Sequence, residues 1–443
     1  MPVPVGVLLA LPLAAHATGP LASVAGAGSQ MSGVGCEQSP ILFSFSGALF
    51  ASYEGQQPQR VASRLGSPQN LKWAPGCRRY AFIESGSLWV GSIAGQTARA
   101  EIAGWVYSFY WRPDGGALAV EAERTACGEA LPASPGTRRA DTFLAGIPGL
   151  SVRPLSQDCR TFPLGWSNDG TRVLVARQVT YPLPCVPWEG GCAAADILAC
   201  HAGSGECKVL ITQRQLALER KDVSGLVHWD AKRRVLYVRS WDLNFGGTGR
   251  LLALDESTGK TLWSQDAEAA EYLGGGIFGV QHKVVENPDE GFVWKPVTVN
   301  KEGGVVEKFP LLCCPFGWSP HRLWMDSTLD ARKGERTSSV SFSTRNKADA
   351  WQFRLPSGYR PCSNEVWTPR DTDAVIGYED AVHHGRFALK LWEVNPTKER
   401  ARLLMQGDAA IDPRQPYPGI RACTDGTGPD SSAPPLAVAA WDP

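Results

Sequence analysis

The stretch Trp111-Arg-Pro-Asp-Gly-Gly-Ala-Leu-Ala-Val120 decides the fold, because a close copy of it follows later in the chain. Trp166-Ser-Asn-Asp-Gly-Thr-Arg-Val-Leu-Val175 has the same order of an aromatic anchor, a tight turn and a run of apolar residues. Asp-Gly between two apolar runs is a strong hairpin signal, because glycine adopts positive φ at no steric cost. Each copy therefore predicts an anchor, a turn and a buried strand.

Looser copies of this phrase give it a regular spacing. They begin at Trp73, Trp229, Trp318 and Trp367, so the steps between successive anchors are 38, 55, 63, 89 and 49 residues. A four-stranded propeller blade takes roughly 40–50 residues. The 89-residue step then corresponds to two blades, with Phe278 as the anchor of the second. The repeat predicts an all-β protein that consists of a single β-propeller; a β-sandwich would not need an anchor renewed at such an interval.

The two ends of the chain predict one further blade. Segments 41–46, 48–53 and 59–62 are typical of three short strands before the first anchor, and 435–441 is typical of one strand after the last. A blade sealed from both ends removes the exposed sheet edges that invite aggregation. We therefore expect eight blades over residues 39–441, with seven as the alternative. Cys36 and Cys423 flank these segments, and we expect them to be joined or close together.

Apolar patterning predicts how the strands are buried. Arg172–Ala176 is nearly all apolar, which is typical of a strand covered on both faces. Leu251–Asp255 is interpreted as an outer strand with alternating burial. Asp114 and Asp169 are interpreted as turn formers.

The phrase Trp-x-Pro-Asp-Gly-x-x-Leu-Ala-Val resembles the repeats of the TolB-type, WD-like β-propellers. The resemblance extends over about residues 40–405 and is close in the units at Trp111 and Trp166. One segment, Arg250–Trp263, instead resembles the blade repeat of pyrroloquinoline-quinone propellers. Both resemblances imply the same fold, and neither implies a particular function, because one fold serves many functions.

The N-terminal segment and the cysteines predict export. Residues 5–15 are apolar and Ala15-His-Ala17 follows them, so we expect a signal peptide over 1–17 and a flexible leader over 18–38. The usual basic residue near the start is missing, since Arg60 is the first Lys or Arg. Twelve cysteines without a Cys-x-x-Cys motif are typical of an oxidised exported protein. We therefore expect a secreted or periplasmic protein.

Several cysteine pairs are candidates for disulfides. They are Cys200 with Cys207 across a hairpin turn, Cys185 with Cys192 around a loop, Cys127 with Cys159 in one blade, and Cys314 with Cys362. Connectivity itself does not follow from sequence.

No sequence motif specifies a reaction. The chain has no nucleophile elbow, no zinc-protease motif and no phosphate-binding loop. Net charge is zero, which gives no indication of a nucleic-acid partner. The apolar segment 5–15 is too short to span a bilayer. We expect a monomer with no cofactor and no bound metal.

Two function classes remain open. The first is a non-enzymatic propeller that presents a rigid loop face to a protein, peptide or glycan, with Trp188, His383 and His384 as candidate binding residues. The second is an enzyme, such as a lyase, a lactonase-like hydrolase or a quinone dehydrogenase. Its site would need several His, Asp, Glu or Asn side chains that converge on the central channel. The sequence favours the first class.

Overall fold

A computed structural model describes Cys36 and residues 39–45, 48–63, 68–94, 97–123, 140–147, 149–156, 158–178, 195–212, 215, 221–242, 249–267, 269–287, 291–308, 315–318, 324–330, 337–344, 347–361, 366–367, 373–379, 386–410 and 436–438. The strands in these ranges, in chain order, are β1 (Ile41–Phe45), β2 (Ala48–Ser52), β3 (Gln59–Ser63), β4 (Gln69–Trp73), β5 (Arg79–Glu84), β6 (Ser87–Ser92), β7 (Thr97–Arg99), β8 (Val106–Trp111), β9 (Ala117–Glu123), β10 (Ala140–Gly146), β11 (Ser151–Pro154), β12 (Thr161–Trp166), β13 (Arg172–Gln178), β14 (Ala195–His201), β15 (Cys207–Ile211), β16 (Lys221–Asp230), β17 (Val235–Asp242), β18 (Gly249–Asp255), β19 (Thr261–Asp266), β20 (Ala269–Tyr272), β21 (Ile277–Asn287), β22 (Gly291–Asn300), β23 (Val305–Lys308), β24 (Pro315–Trp318), β25 (Trp324–Asp330), β26 (Thr337–Thr344), β27 (Lys347–Arg354), β28 (Tyr359–Pro361), β29 (Val366–Trp367), β30 (Asp373–Glu379), β31 (Arg386–Asn395), β32 (Arg400–Ala410) and β33 (Leu436–Val438).

In the described part of the chain, these strands form eight antiparallel sheets. Six are local meanders of four strands: β4–β7, β8–β11, β12–β15, β16–β19, β20–β23 and β24–β27. A seventh has the order β28-β30-β31-β32, with β29 paired to β30. Neighbouring sheets pack on one another; β12, for example, contacts β9 and β10 of the preceding sheet and β16 of the following one. The all-β prediction is confirmed.

The first sheet is completed by the far end of the chain. Its order is β3-β2-β1-β33, and Phe43 pairs with Val438 while Phe45 pairs with Leu436. The last local sheet also contacts the first, because Arg402 on β32 donates hydrogen bonds to the carbonyl oxygens of Tyr53 and Gln56. The strands β1 and β33 therefore belong to one sheet.

The tryptophan anchors lie at or next to the ends of edge strands. Trp73, Trp111 and Trp166 are the last residues of β4, β8 and β12, and Trp229 is the last but one of β16. Trp318 and Trp367 end β24 and β29. The Trp73 and Trp229 side chains are almost fully buried. Trp166 Nε1 donates to the Tyr110 carbonyl of the preceding sheet at 3.0 Å, so this anchor joins two sheets.

Phe278 is a core residue but does not occupy the anchor position. It lies on β21, directly opposite Tyr272, which is the last residue of β20. The equivalent pair in the β4–β7 sheet is Trp73 opposite Tyr80, so Tyr272 is the anchor of its sheet. The difference arises because Leu273–Gly276 replaces the Asp-Gly turn that marks the closer copies.

The burial predictions are confirmed for one strand and wrong for the other. Val173–Ala176 of β13 is fully buried, as an inner strand should be. Leu251–Leu254 of β18 is also buried throughout, because β18 lies between two strands and neighbouring sheets cover both of its faces. The alternating strand is instead β19, the outer strand of that sheet.

The disulfides correct one cysteine prediction. Cys36 is joined to Cys77, not to Cys423, because Cys36 packs with Leu71 and Trp73 beside the turn that carries Cys77. The expected Cys200–Cys207 disulfide is present. Cys159 is disulfide-bonded as well. Cys127, Cys185, Cys192, Cys314, Cys362 and Cys423 lie outside the described residues, as do all residues before Cys36.

Candidate functional site

The binding residues predicted from sequence lie on connections that the structure does not describe. Trp188 lies in 179–194, between β13 and β14, while His383 and His384 lie in 380–385, between β30 and β31. Both segments join the second and third strands of a meander. Their role in binding stays a prediction.

A cavity lies between the sheet β12–β15 and the sheet β16–β19, beside the turns that follow β14, β16 and β18. We call it the interblade cavity; its volume is about 430 Å³. Its lining residues are Arg172, Ala199, His201, Glu206, Lys208, Val209, Leu210, Ala231, Arg234, Glu256 and Ser257. This volume falls within the range of small-molecule sites.

The floor of the interblade cavity is a charged cluster that joins the two sheets. Arg172 Nη1 lies 2.5 Å from Glu256 Oε1, and Trp229 Nε1 donates to Glu256 Oε2 at 3.0 Å. The Arg172 guanidinium also lies 4.3 Å from the centre of the Trp229 ring. The Glu256 side chain is 5% exposed and that of Arg172 is 27% exposed. Both carboxylate oxygens are therefore satisfied, and the floor is held from both sheets.

One wall is the hairpin between β14 and β15. His201 Nδ1 accepts hydrogen bonds from the backbone N–H groups of Gly203 and Ser204, both at 3.2 Å. Its Nδ1 atom therefore carries no proton, and Nε2–H is a donor. The Cys200–Cys207 disulfide crosses the hairpin at its base. On the far side, Arg153 of β11 donates to the carbonyl oxygens of Ala202 and Gly203, which fixes the hairpin to the preceding sheet.

The opposite wall consists of two turns of the next sheet. Arg234 has a φ of 60°, in the left-handed region that favours glycine, and its carbonyl accepts the Glu256 N–H at 2.8 Å. In the adjoining turn, hydrogen bonds from Ser257 and Thr258 to the Asp255 carboxylate lower the pKa of Asp255 to about 2. These bonds hold the turn closed around a charged side chain. Both walls are thus built from short, internally bonded turns.

The mouth of the interblade cavity carries a surplus of positive charge. Arg172 and Glu256 neutralise each other on the floor. The remaining charged lining residues are Lys208 and Arg234, one on each wall, and the exposed Glu206. Among the described residues, neither Lys208 nor Arg234 forms an ion pair. Two positive side chains and one negative side chain therefore remain at the mouth. An anionic group is the complementary ligand.

Sequence reasoning missed this site because its parts are distant in the chain. Arg172 and Glu256 are 84 positions apart and share no local pattern. The one available signal was an arginine at the start of the apolar strand β13. Within the described ranges, no group of three or more His, Cys, Asp and Glu side chains is arranged to hold a metal ion. No helix there has the length and apolar character needed to cross a membrane.

Comparison with known proteins agrees at the level of the fold. No protein-family model matches the sequence, and no curated protein matches it. Dipeptidyl peptidase 4 of Porphyromonas gingivalis is a similar structure, with a TM-score of 0.50, 10% identity, and coverage of 84% of this chain and 61% of that one. TolB of Acinetobacter baumannii matches with a TM-score of 0.36 and 13% identity over 61% of this chain and 63% of that chain. The chain thus spans less than two thirds of the length of either protein.

These likenesses bear on the fold alone, because identity is so low. The repeated phrase, the four-stranded meanders and the pairing of β1 with β33 agree with a β-propeller fold.

Proposed function

We propose that this protein is an exported, non-enzymatic β-propeller that binds a protein, peptide or glycan on its face of short turns. The observation that carries the proposal is the interblade cavity, whose rigid walls present Lys208 and Arg234 without intramolecular ion pairs among the described residues. Rigid walls lower the entropic cost of binding, because little ordering remains when a ligand arrives.

Export is supported by the oxidised cysteines. Two disulfides, Cys36–Cys77 and Cys200–Cys207, join described residues, and such bonds persist in oxidising compartments. Titration of the denatured, unreduced protein should find at most about two free thiols. Eight or more free thiols, roughly two thirds of the total, would contradict export.

The binding proposal is tested by capture with three baits. Wild-type protein, K208E/R234E and the control K308E/R354E are each immobilised and exposed to the extracellular fraction of the source cells. Lys308 and Arg354 are exposed and end the outer strands β23 and β27, so the control makes the same charge change elsewhere. We expect a partner that the wild type and the control retain and the cavity variant loses. Equal retention by all three baits, or none by any, would refute the proposal.

A further inference from the structure

We propose that the ligand of the interblade cavity is an extended acidic peptide segment. It pairs with the open edge of β15 and places a carboxylate between Lys208 and Arg234. This inference rests on the proposed function and names the ligand class for the same site.

The strand β15 has one hydrogen-bonding edge open. It pairs with β14 on one side and is the last strand of its sheet in the described structure. The His201 N–H donates to the Glu206 carbonyl at 2.8 Å, so these two residues are a hydrogen-bonded pair. Pairs alternate along an antiparallel ladder, and the register is Cys200 with Cys207 and Leu198 with Val209. The backbone N–H and C=O groups of Cys207 and Val209 therefore point away from β14.

Backbone groups of this kind favour a peptide over other anionic ligands. An extended chain added to a sheet edge supplies a carbonyl for each free N–H and an N–H for each free carbonyl. An oligosaccharide has no such repeat of donors and acceptors. Val209 lines the interblade cavity and is 38% exposed, so it also offers apolar contact to a side chain of the incoming strand.

The charges of the two walls define which peptide is favoured. Lys208 lies on the open strand and Arg234 on the facing turn, so a carboxylate between them meets a cation from each sheet. Arginine binds carboxylates through two parallel hydrogen bonds, which adds geometric selectivity. The Nε2–H of His201 is a further donor on the same wall. Arg172 is already engaged by Glu256 and stays on the floor.

The backbone of Arg234 makes glycine a suitable replacement for a binding test. A non-glycine residue in the left-handed region is strained, and the turn 231–234 contains no glycine to relieve that strain. Glycine adopts this backbone conformation without that strain. Replacing Arg234 with glycine should therefore leave the fold at least as stable and remove the proposed carboxylate contact.

The test measures binding of labelled heptapeptides to the full-length protein by fluorescence anisotropy at low salt. The probe alternates glutamate and valine; one control replaces glutamate with glutamine, and a second carries N-methyl groups on alternate backbone amides. We expect both controls to bind at least about tenfold more weakly than the probe, because each loses charge-assisted or backbone hydrogen bonds. R234G and K208Q should each weaken binding of the probe by about tenfold, while K308Q/R354Q should leave its binding affinity unchanged.

Three outcomes would overturn the inference. The first is unchanged probe affinity in both R234G and K208Q. The second is equal affinity for the N-methylated peptide, together with displacement by a polyuronate oligosaccharide, which would make the ligand an anion without strand pairing. The third is no binding of the probe at all. If the capture experiment still loses its partner in K208E/R234E, the proposed function stands and only the peptide assignment fails. Thermal melting of R234G and K208Q shows whether either variant has lost its fold. K208Q alters an exposed side chain, so we expect its melting temperature to match that of the wild type.

Discussion

In the charged cluster on the floor of the interblade cavity, loss of the arginine should destabilise the protein more than loss of the glutamate charge. Glu256 is held by Arg172 and by Trp229 Nε1, and its side chain is 5% exposed. In R172M, the methionine keeps much of the packing over the Trp229 ring but leaves the Glu256 carboxylate buried without its cation. In E256Q, the amide oxygen can still accept the Trp229 hydrogen bond, and the 27% exposed Arg172 can turn toward water.

The two substitutions should therefore differ in cost. Removal of one partner of a buried pair costs about 3–5 kcal/mol of unfolding free energy, and partial access to water places R172M near the lower end, at about 3 kcal/mol. E256Q loses the ion pair but buries no unpaired charge, so we expect about 1 kcal/mol. In the R172M background, E256Q removes the unpaired charge. The double variant should then be more stable than R172M alone by about 1–2 kcal/mol.

Urea unfolding at pH 7, followed by circular dichroism, measures all four proteins of this double-mutant cycle. The expected order of stability is wild type, E256Q, the double variant and then R172M. If E256Q further destabilises R172M, or costs more than R172M on its own, the carboxylate is not the buried, paired charge that the structure shows.

Two further predictions concern pH and the disulfides. Burial against Tyr272, whose ring centroid lies 3.8 Å away, lowers the pKa of His228 to about 4, while Asp230 raises it to a smaller degree. The unfolded chain binds the proton near pH 6.5, so acidification from pH 6.5 to 4 should remove up to about 3 kcal/mol of stability. The variant H228F, which keeps the ring stack, should lose this part of the pH dependence in urea titrations; an unchanged slope would contradict the burial. Removal of the Cys36–Cys77 disulfide, which closes 41 residues, should cost about 4 kcal/mol, and removal of Cys200–Cys207, which closes 7, about 2.5 kcal/mol. The reverse order of urea midpoints for C36A/C77A and C200A/C207A would count against this account of loop closure.

The repeat predicted the architecture because its signals are local. An anchor, an Asp-Gly turn and an apolar strand lie within ten residues, and Trp111 and Trp166 carry all three. Asp114 and Asp169 confirm the turn interpretation, since their carboxylates accept the backbone N–H groups of Gly116 and Thr171. Where the turn changes, as after Tyr272, the same reasoning selected the wrong aromatic residue.

The features that sequence reasoning missed depend on contacts between sheets. Cys36 lies beside Cys77 because it packs in one core cluster with residues of the sheet β4–β7. The sequence around either cysteine does not indicate that the two are close in space. The burial of Leu251–Leu254 depends on the sheets that cover it. The interblade cavity likewise arises where residues from separate repeats meet. Such contacts follow from the packing of neighbouring sheets rather than from any one motif.

Hydrogen exchange at Leu436–Val438 tests most directly whether both ends of the chain share one sheet. These residues pair with Phe43–Phe45 of β1. In the intact protein, mass spectrometry of the C-terminal peptide should show amides that exchange at least about a hundredfold more slowly than in the free peptide, because opening this sheet must break packed strand pairs. Removal of residues 432–443 should in turn speed exchange in β1. Exchange of Leu436–Val438 at the rate of the free peptide, with β1 equally protected in both proteins, would contradict the shared sheet.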